Sequence, residues 1–152
     1  MKVRLSDAMT ADPVIPLDQL ALVKETAPAV QQNSLAITTR FYTWLFENHP
    51  ETKTFFTNTT PGQARRLADA LVAYTEHIED LSPITPVVKA IARKHVAVGV
   101  QPGHYDVVGQ ELLGAVVDVL GELPVTVIEA WAAAYQALAD IFIAVEAELA
   151  AA

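Results

Sequence analysis

The stretch "LPVTVIEAWAAAYQALADIFIAVEAELAAA", residues 123–152, places Val127, Trp131, Tyr135, Leu138, Phe142 and Val145 at helical spacing. No glycine interrupts it, and its one proline stands at the start, where a helix tolerates it. A helix this long, apolar along one stripe, cannot bury that stripe alone. It needs other helices packed against it, and the rest of the chain reads as a supply of them.

A first helix is expected from about Leu17, with Leu20, Val23 and Ala27 on one face. Asn33 and Ser34 are expected to cap a second, "SLAITTRFYTWLFENH", which Pro50 stops. "ETKTFF" reads as a short turn or single helical coil, and "TNTT" as a polar loop. In "TPGQARRLADALVAYTEHIEDL", Thr60 is the expected N-cap and Pro61 the first helical residue, with Leu67, Leu71, Tyr74 and Ile78 as the stripe. "SPITP" breaks the chain, Thr85 is expected to cap "PVVKAIARKHVAV", and Gly99 to end it. "GHYDVVGQELLGAVVDVLG" is a further helix closed by Gly121. There is no strand alternation, repeat or low-complexity linker. Residues 1–16 read as an N-terminal tail and residues 17–152 as one domain. The uneven helix lengths argue against a symmetric four-helix bundle. They favour an all-α fold whose helices cross steeply around a pocket.

Composition narrows the function classes. At 152 residues and 52% apolar, the chain has enough length and apolar content for one packed core. Its formal charge of −8 repels phosphate backbones, which argues against nucleic-acid binding. The absence of cysteine excludes disulfides, thiolate catalysis, iron–sulfur clusters and cysteine-bound zinc. In "MKVRLSDAMTADPVIP", Asp7 and Asp12 interrupt any signal-peptide core, and no apolar run reaches membrane-spanning length without a charge. A soluble cytoplasmic protein is expected.

The residue that raises a chemical question is His95. It shares a helix face with Val88, Ile91 and Val98. A histidine on an apolar face is most often a core residue bonded to a backbone carbonyl. The alternative is an axial iron ligand, because a neutral imidazole binds through one ring nitrogen and donates N–H from the other. Haem suits a single-histidine helix, since the porphyrin supplies four ligands. Zinc needs more protein ligands, and His49, His77 and His104 form no spaced cluster with His95. Tyr42 lies on a stripe with Leu35, Thr38 and Leu45, where packing is the usual role. Gln63 opens the third helix, and "TPGQ" reads as a capping box in which its side chain returns to the Thr60 N–H. Glu146 sits at the edge of an inward face near a helix C-terminus, where negative charge is unfavourable. It either reaches solvent or has a buried donor. Tyr105 follows a Gly-His turn and starts a helix.

Taken together, "ITTRFYTWLFENHPETKTFF", "QARRLADAL", "IARKHVAVGVQPGHYDVVGQELLGAVVDVLG" and "AWAAAYQALADIFIAVEAEL" resemble the bacterial globins related to the globin domain of flavohaemoglobins, including single-domain relatives. The resemblance runs from about Leu17 to Leu149 and implies a globin fold around haem b. In "RKHV", His95 matches the proximal iron ligand, and in "RFYTWLF", Tyr42 matches the distal tyrosine. Phe56 matches the phenylalanine that wedges against the haem face. Gln63 matches the distal glutamine and Leu67 the apolar residue above the iron. Tyr105 and Glu146 match the partners of the proximal imidazole. Ala64 and Asp106 depart from the pattern, standing where relatives often have proline, and the N-terminal tail has no counterpart.

The resemblance implies O2, NO and CO as ligands on an open side of the iron. It implies nitric oxide dioxygenation, in which O2 held at the iron reacts with NO to give nitrate. No Gly-rich phosphate turn after a strand is present, so the electron is expected from an external reductase. The other readings are a non-enzymatic O2 carrier, buffer or gas sensor, and a haem-free helical interaction module. A homodimer through an exposed apolar helix pair is left open.

Overall fold

The apolar stripes become helices in the computed structural model, which describes residues 15–56 and 62–151. The order is α1 (Leu17–Gln32), α2 (Ser34–Asn48), a 3₁₀ segment (Pro50–Phe56), α3 (Gln63–Glu76), a 3₁₀ turn (Ser82–Ile84), α4 (Thr85–Val98), α5 (His104–Leu120) and α6 (Val125–Ala151). No strand occurs among the described residues.

The helix that opened the argument is the spine of the molecule. α6 packs against α1, α4 and α5, while α2 packs on α3 and α5. Its buried positions include Val127, Ala130, Trp131, Ala134, Phe142 and Val145. The alanines among them let neighbouring backbones approach closely. Two polar bonds fix the docking. The Trp131 indole N–H donates to Thr26 Oγ1 at 2.8 Å, and the Tyr74 hydroxyl donates to the Ala134 carbonyl at 2.8 Å. Each satisfies the polar end of a side chain whose ring is buried. By length and composition, α6 alone among the described helices is apolar enough to cross a membrane, at mean hydropathy 1.3.

Helix ends depart from the sequence expectations at three places. Asn33 does occupy the N-cap of α2, but makes no cap bond with its side chain. Its amide instead donates back to the Ala29 carbonyl at 2.8 Å and closes α1, because a single residue joins the two helices. Thr85 does not cap α4. The 3₁₀ turn runs straight into that helix, so Thr85 is already helical (φ −51°, ψ −46°) and Ile84 takes the cap position. A side-chain cap needs a non-helical backbone there. Thr60 and Pro61 lie outside the described residues. α3 begins at Gln63 after Gly62, whose φ is +99°. Gln63 is therefore the first helical residue, and a capping box needs the third. At the N-terminus, residues 1–14 also lie outside the description. Ile15, at the end of the segment read as a tail, is buried in the core, and Pro16 takes the N-cap of α1.

Two consecutive helices, α3 and α4, hardly touch. α3 packs on α2 and α1, and α4 packs on α6. α4 buries Val88 and Ala92 against the core, so Val98, expected on the inward stripe, is 46% exposed. His95 lies at the margin of that buried face and is half-buried. On the opposite side, fully buried Thr38 of α2 donates to the Ala64 carbonyl of α3 at 2.8 Å, one turn before Tyr42 and one residue after Gln63. This bond holds α3 in register on α2. Thr38→Val keeps the shape and removes the bond, and is expected to lower unfolding stability by about 1 kcal/mol. Urea titration reads this; an unchanged midpoint would mean that packing alone sets the α2–α3 register.

Candidate functional site

The site is organised around the end of α4. Gly99 adopts φ +89°, a left-handed conformation that strains any residue with a Cβ, and closes the helix there. The His95 carbonyl accepts the N–H groups of Gly99 and Val100 at 3.0 and 2.9 Å. The backbone that carries the imidazole is thereby held on both sides of the helix end.

The imidazole itself is held through one nitrogen. Nδ1 lies 2.9 Å from Glu146 Oε2 and 3.0 Å from the Tyr105 hydroxyl oxygen. The Tyr105 hydroxyl donates to the same Glu146 oxygen at 2.6 Å. With the phenol proton committed to the carboxylate, Nδ1 must carry its own hydrogen and donate it to Glu146. The remaining nitrogen, Nε2, then keeps a free lone pair. Glu146 is 8% exposed, and the two donors compensate its burial. Burial, and then the bond to the Glu146 carboxylate, push the Tyr105 hydroxyl far above its ordinary pKa, so it stays a neutral donor. Phe142 completes the wall, 5.8 Å from the His95 ring and stacked on Tyr105 at 6.4 Å. Glu146 is therefore the buried acid with waiting donors, not the solvated helix end.

A second cluster, on α2 and the 3₁₀ segment, is aromatic. The ring of Tyr42 lies 5.5 Å from Phe56 and 5.8 Å from Phe46, and Phe46 and Phe56 meet edge to face at 5.4 Å. The Tyr42 hydroxyl makes no hydrogen bond with a described residue. Burial pushes its pKa up to about 12, opposed by the positive charge of Arg66, so it remains a protonated donor. Leu67 is half-buried on α3 against the core. Gln63 is half-buried in the first turn of the same helix, and its side chain bonds to no described residue. Leu35, expected beside Tyr42, is 38% exposed, and the buried face of α2 is Ile37, Thr38, Phe41 and Leu45.

The other histidines stay apart from His95. His49 lies 3.4 Å from Glu111 and 3.6 Å from Glu51. The His104 ring packs on Phe55 at 4.9 Å and accepts the Gln101 N–H. No group of three His, Asp or Glu able to hold a metal ion exists among the described residues. One oriented imidazole with a free nitrogen is the donor set for a metal that brings its own equatorial ligands. A porphyrin iron fits it, and an apolar aromatic wall fits a porphyrin face.

Sequence reasoning missed two participants. Tyr135, read as a packing residue, donates its hydroxyl to the Tyr105 carbonyl at 2.6 Å. Its ring fills the space where a side chain at Gly109 would begin, since a Cβ there would stand 2.7 Å from Tyr135 Cε2. Gly109 lies one turn after Tyr105, so this knob against a bare backbone fixes how α5 presents the Tyr105 hydroxyl. The available signals were the glycine inside a helix and the tyrosine three turns before Glu146. Gly109→Ala is expected to lower stability by about 1–3 kcal/mol through overpacking, measured by chemical denaturation. A neutral effect would show that the Tyr135 ring moves aside freely.

The comparisons with known proteins agree with this fold. The Globin family model matches residues 39–142. A flavohemoprotein of Bordetella bronchiseptica is 45% identical over 136 residues, covering 87% of this chain and 34% of the relative. The chain spans about one third of the length of the curated relatives it matches. Among solved structures, a bacterial globin from Campylobacter jejuni superposes with a TM-score of 0.81 at 30% identity, over 90% of this chain and all of the other. An engineered carbene transferase from Rhodothermus marinus, described as a candidate nitric oxide dioxygenase, superposes at 0.84 with 33% identity, over 91% and 97% of the two chains. An all-α chain with an oriented imidazole at the end of one helix and an aromatic cluster on α2 and the 3₁₀ segment belongs to the globin family.

Proposed function

We propose that this globin holds haem b between α3 and α4, binds O2, NO and CO, and supports nitric oxide dioxygenation with an external reductase. The observation that carries the reading is the His95 ring, fixed through Nδ1 by Glu146 and Tyr105 so that Nε2 is the free donor. The flavohemoprotein relatives and the Rhodothermus marinus neighbour support the reaction class. When bound, haem supplies a redox-active iron at which NO, O2 and one electron give nitrate.

The chain's own residues do the rest. His95 Nε2 would hold the iron, while Glu146 accepts the Nδ1–H hydrogen bond and keeps the ring oriented. An anionic acceptor on Nδ1 makes the imidazole a stronger electron donor, which favours oxidative chemistry over storage. Tyr105 holds the second Glu146 bond and prevents the carboxylate from turning away. The protonated Tyr42 hydroxyl would donate to a diatomic ligand that carries negative charge. Gln63 offers a second donor from the first turn of α3. Phe56 and Leu67 keep water from that side.

His95→Ala is expected to lose most of the haem, scored by the Soret absorbance of purified protein; full retention would remove the ligand assignment. Tyr42→Phe is expected to speed O2 release by roughly ten- to a hundred-fold, the worth of one hydrogen bond to a charged partner at about 1.5–3 kcal/mol. An unchanged rate in flash photolysis would move that role to Gln63. Sustained NO consumption with added reductase tests the enzyme reading. Stoichiometric oxidation followed by arrest would leave a carrier, buffer or sensor of O2.

A further inference from the structure

The Tyr105 hydroxyl that holds Glu146 stands on a helix start with only local support of its own. Tyr105 is the second residue of α5, and Gly103 at the N-cap makes no side-chain cap bond. The His104 N–H donates to the Gln101 carbonyl at 3.0 Å, and the Tyr105 N–H to the Pro102 carbonyl at 3.2 Å. The Gln101 N–H donates to His104 Nδ1 at 2.8 Å. These bonds tie the turn to itself. None of them sets where it stands against α6, the helix that carries Glu146.

Tyr135 does. It lies on α6 about three turns before Glu146, and its hydroxyl donates to the Tyr105 carbonyl at 2.6 Å. Its ring is seated against buried Gly109, where a Cβ would stand 2.7 Å from Tyr135 Cε2. α6 therefore grips Tyr105 at both ends. Tyr135 takes the main chain, while Glu146 and Phe142 take the phenol. Burial, and then the charge of Asp106, push the Tyr135 hydroxyl above its ordinary pKa, so it stays a donor. A hydrogen bond weakens steeply as its distance and angle degrade. A Tyr105 hydroxyl that drifts from Glu146 Oε2 frees the carboxylate to turn. The Nδ1–H bond of His95, made to the same oxygen, then weakens with it.

We infer that Tyr135 is a positioning residue for the His95 imidazole. Its hydroxyl, with its ring seated on Gly109, sets how firmly Tyr105 and Glu146 hold Nδ1, and so how strongly Nε2 donates to an iron. This deepens the haem reading given above and rests on it. The route is a relay of three bonds, from Tyr135 to the Tyr105 carbonyl, from the Tyr105 hydroxyl to Glu146, and from His95 Nδ1 to the same carboxylate oxygen.

Tyr135→Phe keeps the ring against Gly109 and removes the first bond. The ferrous, haem-loaded protein is read by its iron–histidine stretching frequency in resonance Raman spectra. Its CO complex is read by NMR, as the rate at which the His95 Nδ1 hydrogen exchanges with solvent. The frequency is expected to fall and the exchange to speed by about two- to tenfold, the loss of one ordinary hydrogen bond. Gly109→Ala, which displaces the ring, is expected to act in the same sense and serves if Tyr135→Phe does not fold. Tyr105→Phe is expected to shift both readouts further, and the double variant Tyr105→Phe/Tyr135→Phe to match Tyr105→Phe alone. Thr38→Val is the control, since it loses a bond of the same class between α2 and α3 and is expected to leave both readouts unmoved. If Tyr135→Phe lowers stability as Thr38→Val does, yet keeps the parent's frequency and exchange rate, Tyr135 is a packing residue and the inference falls. Parent values in Tyr105→Phe, or additive effects in the double variant, would overturn the route through Tyr105. A parent that retains no haem, or shows no iron–histidine mode, overturns the proposed function itself, and any role of Tyr135 toward an iron with it.

Discussion

The buried Glu146 carboxylate is the interaction on which the site depends. Removing a carboxylate from water costs several kcal/mol even after relaxation. At 8% exposure, Glu146 is tolerable because two donors converge on one oxygen, the Tyr105 hydroxyl and the His95 Nδ1–H. Hydrogen bonds to a charged group contribute about 1.5–3 kcal/mol each, so the pair offsets a burial that either alone would not. The compensation works only if α4, α5 and α6 hold one relative placement. The acid therefore ties three helices to a single geometry and selects the tautomer of the imidazole.

The His95 cluster and the Tyr42 cluster are built by different physics. The His95 side is polar and over-determined: a glycine-closed helix end, a doubly bonded ring, and a Tyr135 ring seated against Gly109 that fixes the start of α5. The Tyr42 side is aromatic and lightly bonded. Its rings meet at 5.4–5.8 Å, and Thr38 ties α2 to the Ala64 carbonyl of α3. The held imidazole and the Tyr42 phenol, whose hydroxyl bonds to no described residue, are polar groups left for a ligand.

Much of the fold was legible because helical periodicity is local. The stripes of α1, α3 and α6, the stops at Pro50 and Gly121 and the closure at Gly99 each depend on residues within a few positions of one another. The caps were less legible. Asn33 and Thr85 have the right chemistry, but a neighbouring helix claimed one side chain and a preceding 3₁₀ turn made the other helical. The inward placement of Val98 failed because the buried face of α4 is set by where α6 lies, which a periodicity over one helix does not contain.

For the site, His95, Tyr42, Gln63, Tyr105 and Glu146 stood out singly in the sequence, and their kinship to globin motifs grouped them. Glu146 illustrates the division. Its type and its position at the edge of an inward face are properties of the sequence, and these leave open whether it meets solvent or a donor. His95 and Tyr105 lie 51 and 41 residues away along the chain, and only the packing of α4 and α5 on α6 brings them to 2.9 and 2.6 Å. Tyr135 and Gly109 stayed hidden for the same reason, since a missing Cβ has meaning only beside the ring that fills its space. The sequence by itself determined helices, their stops, the acidic balance and the candidate chemistry, all carried by local spacing or composition. The tertiary structure decided which nitrogen is held, which is free and which helix face stays open, because those depend on groups remote in sequence meeting at hydrogen-bond distance.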